Sequence, residues 1–275
     1  MLDTLTDPFA GEIGSRALVE VVLLGLVCGP LGAWVVLFRQ SYAAESIAHA
    51  ALPGLVLASL AGLPLLVGAA GGLATAAGAI AFAGRERNVE PDTAVAVVVT
   101  TLFGAGVLLG LSPEVPARLG DILFGDPLSV SWEEIAATGV LAAVVLASLT
   151  SYHRRLVLTG FDSQAARSLG VSPRRVELAL LVMLAGATLV AVQALGNLLV
   201  VALLLAPGAA ALRLARGLAA ALALAAVLAV VAGISGLYAS YYLELAAGAS
   251  IALAAVATFA LAALWPSLTG RRASP

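Results

Sequence analysis

The chain has 275 residues, 61% of them hydrophobic and 11% charged, with a mean hydropathy of +1.06 and a formal charge of −2. Soluble domains carry roughly 25% charged residues, so a water-soluble fold is excluded and lipid is the expected solvent. All 14 basic residues are arginine, and without a lysine the chain houses neither a P-loop nucleotide site nor Schiff-base chemistry.

In lipid every backbone polar group must be paired within the structure, which leaves helices or a closed barrel. The apolar runs are continuous and rich in Ala, Leu and Gly rather than alternating. We therefore expect an all-α, polytopic transmembrane helical bundle of about eight to nine spans, forming one domain over residues 1–275. The acidic N-terminus (Asp3, Asp7, Glu12) and a first apolar run too long for a secretory h-region argue against a cleaved signal peptide.

A span needs about 20 apolar residues, and that length predicts spans over 16–38, 43–62, 63–83, 92–111, 132–149, 176–195, 197–212, 218–237 and 246–264. The first carries Glu20, expected to snorkel towards water, and Cys28, which as the only cysteine excludes an intrachain disulfide and a cysteine metal cage. Pro30, Pro53 and Pro207 fall inside spans and remove helical hydrogen bonds. Glycines at 68–78 and 104–106 allow close helix packing. Asp92 is expected to cap the fourth span and His153 to lie in a solvated loop beside Arg154 and Arg155. Trp34, Trp132, Trp265 and the Tyr238, Tyr241, Tyr242 cluster fall near span ends, where amphipathic rings meet the headgroups.

Arginines fix the orientation, because basic residues collect in cytoplasmic connections. With nine spans and an external N-terminus, Arg39, Arg85, Arg87, Arg154, Arg155, Arg167, Arg174, Arg175, Arg213, Arg216, Arg271 and Arg272 share the inner side. Only Arg16 and Arg118 fall towards the outer face.

Ionisable groups within spans are costly and mark functional candidates. Glu45 and His49, at the cytoplasmic start of the second span, are four residues apart. On a helix they share a face with Cβ atoms roughly 5–6 Å apart. A carboxylate oxygen and an imidazole nitrogen then reach one ion, and two facing copies complete a shell. That donor set suits Zn2+, Mn2+ or Fe2+ rather than the all-oxygen preference of Ca2+ and Mg2+. The plainer alternative is that the two side chains only hydrogen-bond each other.

A polar island at 161–170 separates the fifth and sixth spans. Asp162 suits an N-cap, Gly170 the left-handed residue after a helix, and Ser172-Pro173 the next helix start. A two-turn cytoplasmic helix is expected, with Ala165 and Ala166 offering a close-approach surface to another protein; a plain structured loop is the alternative.

Five stretches together resemble the membrane subunits of the ABC-3 family, the permeases of zinc, manganese and iron importers. The family pattern Gly-Asp-x-x-Ser-His-Ala-x-x-Pro-Gly is matched by Ala44-Glu45-Ser46-Ile47-Ala48-His49-Ala50-Ala51-Leu52-Pro53-Gly54. Gly120-Asp121-Ile122-Leu123-Phe124-Gly125-Asp126-Pro127 is similar to an Asp-x-x-x-Leu-Phe-Gly loop, and Phe161-Asp162 to Gly170 to the coupling helix that docks into the ATPase. The runs from Leu195-Gly196-Asn197 to Pro207 and from Ser235-Gly236 to Tyr241-Tyr242 resemble the late transmembrane signatures.

The resemblance implies a permease working by alternating access in the plasma membrane of a prokaryote. Its expected partners are a second copy of itself, a cytoplasmic ATPase dimer, an extracytoplasmic metal-binding protein and membrane lipid, with no nucleic acid. The chain itself is expected to be a transport subunit rather than an enzyme, with the metal as cargo and no permanent cofactor. Glu45 and His49 map onto the metal-contacting Asp and His, and Phe161, Asp162, Ala165, Ala166 and Gly170 onto the ATPase coupling helix. Arg118 and Arg16 are expected to meet acidic residues of the docked binding protein. Glu45, Ala44 and Ala48 depart from the family's Asp, Gly and Ser, which bears on site geometry and metal preference. The rivals are a permease for chelated or organic cargo, of siderophore or cobalamin type, and a membrane sensor or enzyme subunit that transports nothing.

Overall fold

The computed structural model describes residues 7–9, 11–83, 91–113, 125–196 and 200–269. Among them a short 3-10 turn, Asp7–Phe9, precedes α1 Glu12–Leu37, α2 Ser41–Ala50, α3 Leu52–Ala61, α4 Leu65–Ala83, α5 Pro91–Gly110 and α6 Trp132–Phe161. Then come α7 Ser163–Ser168, α8 Pro173–Leu195, α9 Val200–Leu214, α10 Leu218–Leu243 and α11 Ala247–Thr269. No strand occurs among the described residues. Taking α2 and α3 as one segment, six helices reach membrane-spanning length, and three shorter apolar helices, Leu65–Ile80, Val95–Gly110 and Val200–Leu214, match the remaining predicted spans.

α1 is the hub. It packs against α6, α9 and α10, and α11 closes over α9 and α10. The approach is backbone to backbone: a Cβ on Gly25 would lie 2.8 Å from the Val230 nitrogen, and one on Gly29 2.5 Å from the Ala225 carbonyl carbon. Gly32 meets the Leu204 carbonyl in the same way. In lipid such small-residue seams replace the hydrophobic drive, since tails are as apolar as the helices.

A second group, α2 to α5, is joined to the first mainly through α8, which touches α1, α2, α4, α6 and α9. The turn from α1 into α2 is sharp. Arg39 adopts a left-handed conformation, φ +57°, and the Gln40 N–H returns to the Val35 carbonyl at 2.9 Å. That geometry is a helix C-cap motif usually filled by glycine.

Three expectations change. α6 runs for 30 residues, well past 149, so His153, Arg154 and Arg155 lie on a helix rather than in a loop. No helix breaker intervenes, and the inward faces of Leu156 and Thr159 are buried. Trp34 is 1% exposed and packs edge-on against Phe38 and His153, whereas Trp132 and Trp265 are exposed as an interfacial belt requires. Glu20 does not snorkel. It is 1% exposed on the hub helix, with α6 packed over it.

Candidate metal centre

α2 carries both candidate ligands on one face. His49 Nε2 lies 3.9 Å from Glu45 Oε1. That is too long for a hydrogen bond, so in this structure the two side chains do not simply satisfy each other. Donors about 2.1 Å from a shared cation stand at most about 4.2 Å apart, and the observed spacing already lies within that reach.

His49 is held from the side by Phe103 of α5, with ring centroids 4.8 Å apart at 31°. Its Nδ1 is buried and has no hydrogen-bond partner. The side chain of His49 is 22% exposed and that of Glu45 56%, so the carboxylate stands at the protomer's margin. Ala44 and Ala48 are fully buried; these two departures from the family pattern fill packing positions away from the open face.

The backbone breaks at Ala51, two residues beyond His49. Pro53 has no N–H to return to the His49 carbonyl, and at the break Ala51 donates instead to Ala48 at 3.3 Å, an i to i−3 bond. Glycines clasp this break. A Cβ on Gly106 of α5 would lie 2.9 Å from the Pro53 nitrogen, and one on Gly72 of α4 2.9 Å from the Ala51 carbonyl oxygen. Gly54 and Gly68 meet through their backbones. By contrast, Gly71, Gly78 and Gly104 have open space in front of them. Interrupted helices beside a polar pair are a recurring way to expose ion-binding groups within a bundle.

Among the described residues no group of three or more His, Cys, Asp or Glu side chains could hold a metal ion. The structure therefore supplies two ligands at this point.

At the other end of α6, Asp162 caps α7, its Oδ1 accepting from the backbone N–H groups of Gln164 and Ala165, both at 2.9 Å. Gly170 takes φ +79° and Pro173 begins α8, as expected, although the Ser172 side chain makes no capping bond. The short helix has six residues, about 1.7 turns, and Phe161 closes α6 instead of opening α7. Ala166 is 0% exposed and turned into the bundle, because α7 packs back onto α6 and α8; the surface offered outward includes Phe161 and Leu169, 67% and 66% exposed. A lone leucine in a polar island, such as Leu169, carries no sequence signal.

Arg16 is half-buried, with its Nε enclosed and unpartnered. Arg118 lies outside the described residues, as does most of the 120–127 loop.

Residues 11–266 match the ABC 3 transport family. The chain belongs to that family. The manganese transport system membrane protein MntC of Halalkalibacterium halodurans is 34% identical over 249 residues, 90% of this chain and 85% of that one. The chelated iron transport system membrane protein YfeD of Yersinia pestis is 31% identical over 265 residues, 96% and 89% of the two chains. Among solved structures, PsaBC from Streptococcus pneumoniae in complex with Fab superposes with a TM-score of 0.86 at 28% identity, covering 95% of each chain. This ABC 3 family protein is thus an all-α, multi-pass membrane protein and a transport subunit by family.

Proposed function

We propose that the chain is the permease subunit of an ABC importer that passes a divalent transition metal ion, Zn2+, Mn2+ or Fe2+, through the membrane by alternating access. The observation that carries the reading is the Glu45–His49 pair, 3.9 Å apart at a clasped helix break, with two ligands and no third nearby among the described residues. Two ligands hold a cation too weakly to keep it, which suits transport. A second copy facing the first brings the set to four. The names of the manganese and iron relatives support the choice of cargo.

In this reading a metal-loaded extracytoplasmic protein docks at the outer face, where Arg118 and Arg16 meet acidic residues. The ion then meets carboxylate and imidazole between the two permeases. ATP is hydrolysed in separate cytoplasmic subunits, because this lysine-free chain has no P-loop. Their motion enters through Phe161, Asp162, Ala165 and Gly170, with Ala166 anchoring the helix from inside.

The word "chelated" in the name of the YfeD relative favours a second reading, in which the cargo is a metal complex and the ligands are already filled. Uptake of radiolabelled free Mn2+ or Fe2+ into vesicles holding the full complex separates them. Glu45→Ala and His49→Ala abolish free-ion uptake in the first reading; uptake unchanged by both would overturn it.

A further inference from the structure

A lateral groove of about 460 Å3 lies between α1, α6 and α10, within the volume range of small-molecule sites. Trp34, Leu146, Leu149 and Leu222 line its apolar length, and Thr150 and His153 its polar end. Pro30 also lines it, and its missing N–H removes one backbone bond from α1. The rim is apolar: Leu26, four residues before Pro30, and Val227, four after Ala223, are 42% and 57% exposed. In a membrane protein such a rim faces hydrocarbon, so an acyl chain and not water is the natural filling.

The polar end points to a particular lipid. α1 and α6 run towards the arginine-rich side and α10 starts there, which places His153 near the cytoplasmic headgroups. Arg154 follows His153 directly and lies four residues beyond Thr150, on the same face one turn further out; it is exposed. Arg155 turns aside over the Tyr152 ring at 5.4 Å. The Thr150 hydroxyl is committed to the Ala147 carbonyl at 2.9 Å. α10 begins at Leu218, one turn before Leu222, with Gly217 as N-cap and no side-chain cap, so its first N–H groups add positive potential at that mouth.

We propose that this groove binds an anionic phospholipid of the cytoplasmic leaflet, one acyl chain lying along Leu146, Leu222 and Ala223 above the Trp34 ring and the phosphate resting against His153 and Arg154. The site is separate from the Glu45–His49 pair and does not depend on its role.

Trp34 is the reporter, because its ring backs the groove while being 1% exposed, so bromines seated in the groove come closer to it than those of annular lipid. The protein bearing Trp132→Phe and Trp265→Phe is reconstituted into vesicles with brominated phosphatidylglycerol or brominated phosphatidylcholine at equal mole fraction. The expected result is Trp34 quenching by the anionic lipid with a relative association about fivefold higher, the size of one arginine's attraction to an anionic headgroup. Inorganic phosphate leaves it unchanged. Arg154→Gln, at an exposed position, brings the two lipids level, and Ala226→Phe, which fills the groove, removes quenching by both. Equal quenching by the two lipids in the Trp34-only protein overturns the proposal. So does the absence of quenching by either, which would mean that another polypeptide covers the groove.

Discussion

The Thr138 hydroxyl on α6 donates to Glu20 Oε1 on α1 at 2.8 Å, joining two helices through a carboxylate that is 1% exposed. The other oxygen, Oε2, is buried without a partner. This bond is the one polar tie that the carboxylate has among the described contacts, and removing its donor leaves a buried group unsatisfied. Thr138→Val is expected to lower stability by about 1–3 kcal/mol. Combining it with Glu20→Leu, which removes both partners, should recover most of the loss. Unfolding in mild detergent, followed by the melting temperature of the purified protein, reads both; a double variant no better than Thr138→Val would show that the carboxylate serves another contact.

Glu45→Gln keeps the size of the side chain and removes its charge. If Glu45 and His49 meet the ion directly, metal uptake should fall by more than about tenfold, since even groups one shell removed from a metal cost 10–100-fold when mutated. Glu45→Asp, which restores the family's residue, should keep uptake while changing the ranking of Mn2+, Fe2+ and Zn2+ in competition assays. Identical rankings would mean that carboxylate length does not set the preference.

The glycines of α4 and α5 divide into two kinds, and substitution should tell them apart. A side chain at Gly106 runs into Leu52 and Pro53, so Gly106→Val is expected to cost about 1–3 kcal/mol and to move Phe103 relative to His49. Gly71→Ala and Gly104→Ala meet nothing, and the gain in helix propensity of roughly 0.5–1 kcal/mol should leave a lone protomer unharmed. Thermal unfolding of the three variants side by side checks the contrast.

Asp162→Ala removes two capping bonds from α7 at a cost of about 1 kcal/mol, too little to unfold the bundle. Transport-linked ATP hydrolysis by the reconstituted complex should drop while the permease still purifies normally. Asp162→Asn, another good cap, should restore it. An Asn variant as poor as Ala would assign Asp162 a charge-dependent contact with the ATPase instead.

Much of this could be read in the sequence because lipid imposes a simple ruler. Nine apolar stretches of about the right length led to the helices in order, and four-residue spacing sufficed to put Glu45 and His49 on one face. Asp162, Gly170 and Pro173 were legible for the same reason, since caps and left-handed turns are local chemistry. Tertiary environment was not. Whether Glu20 reaches water depends on α6, more than a hundred residues later in the chain, and whether Ala166 faces outward depends on how α7 folds back. Thr138 carries no motif and only its contact reveals it. The break at Ala51 was foreshadowed by Pro53, but the glycines that grip it lie on helices whose pairing the sequence does not state.

The seam along Gly25, Gly29 and Gly32 also limits how this molecule can move. Main chain lodged against main chain leaves no rotamers to rearrange, so α1, α9, α10 and α11 must swing as one slab. Any pivoting of α2 to α5 against that slab then falls on α8, which touches both groups and makes this helix the natural axle of the machine.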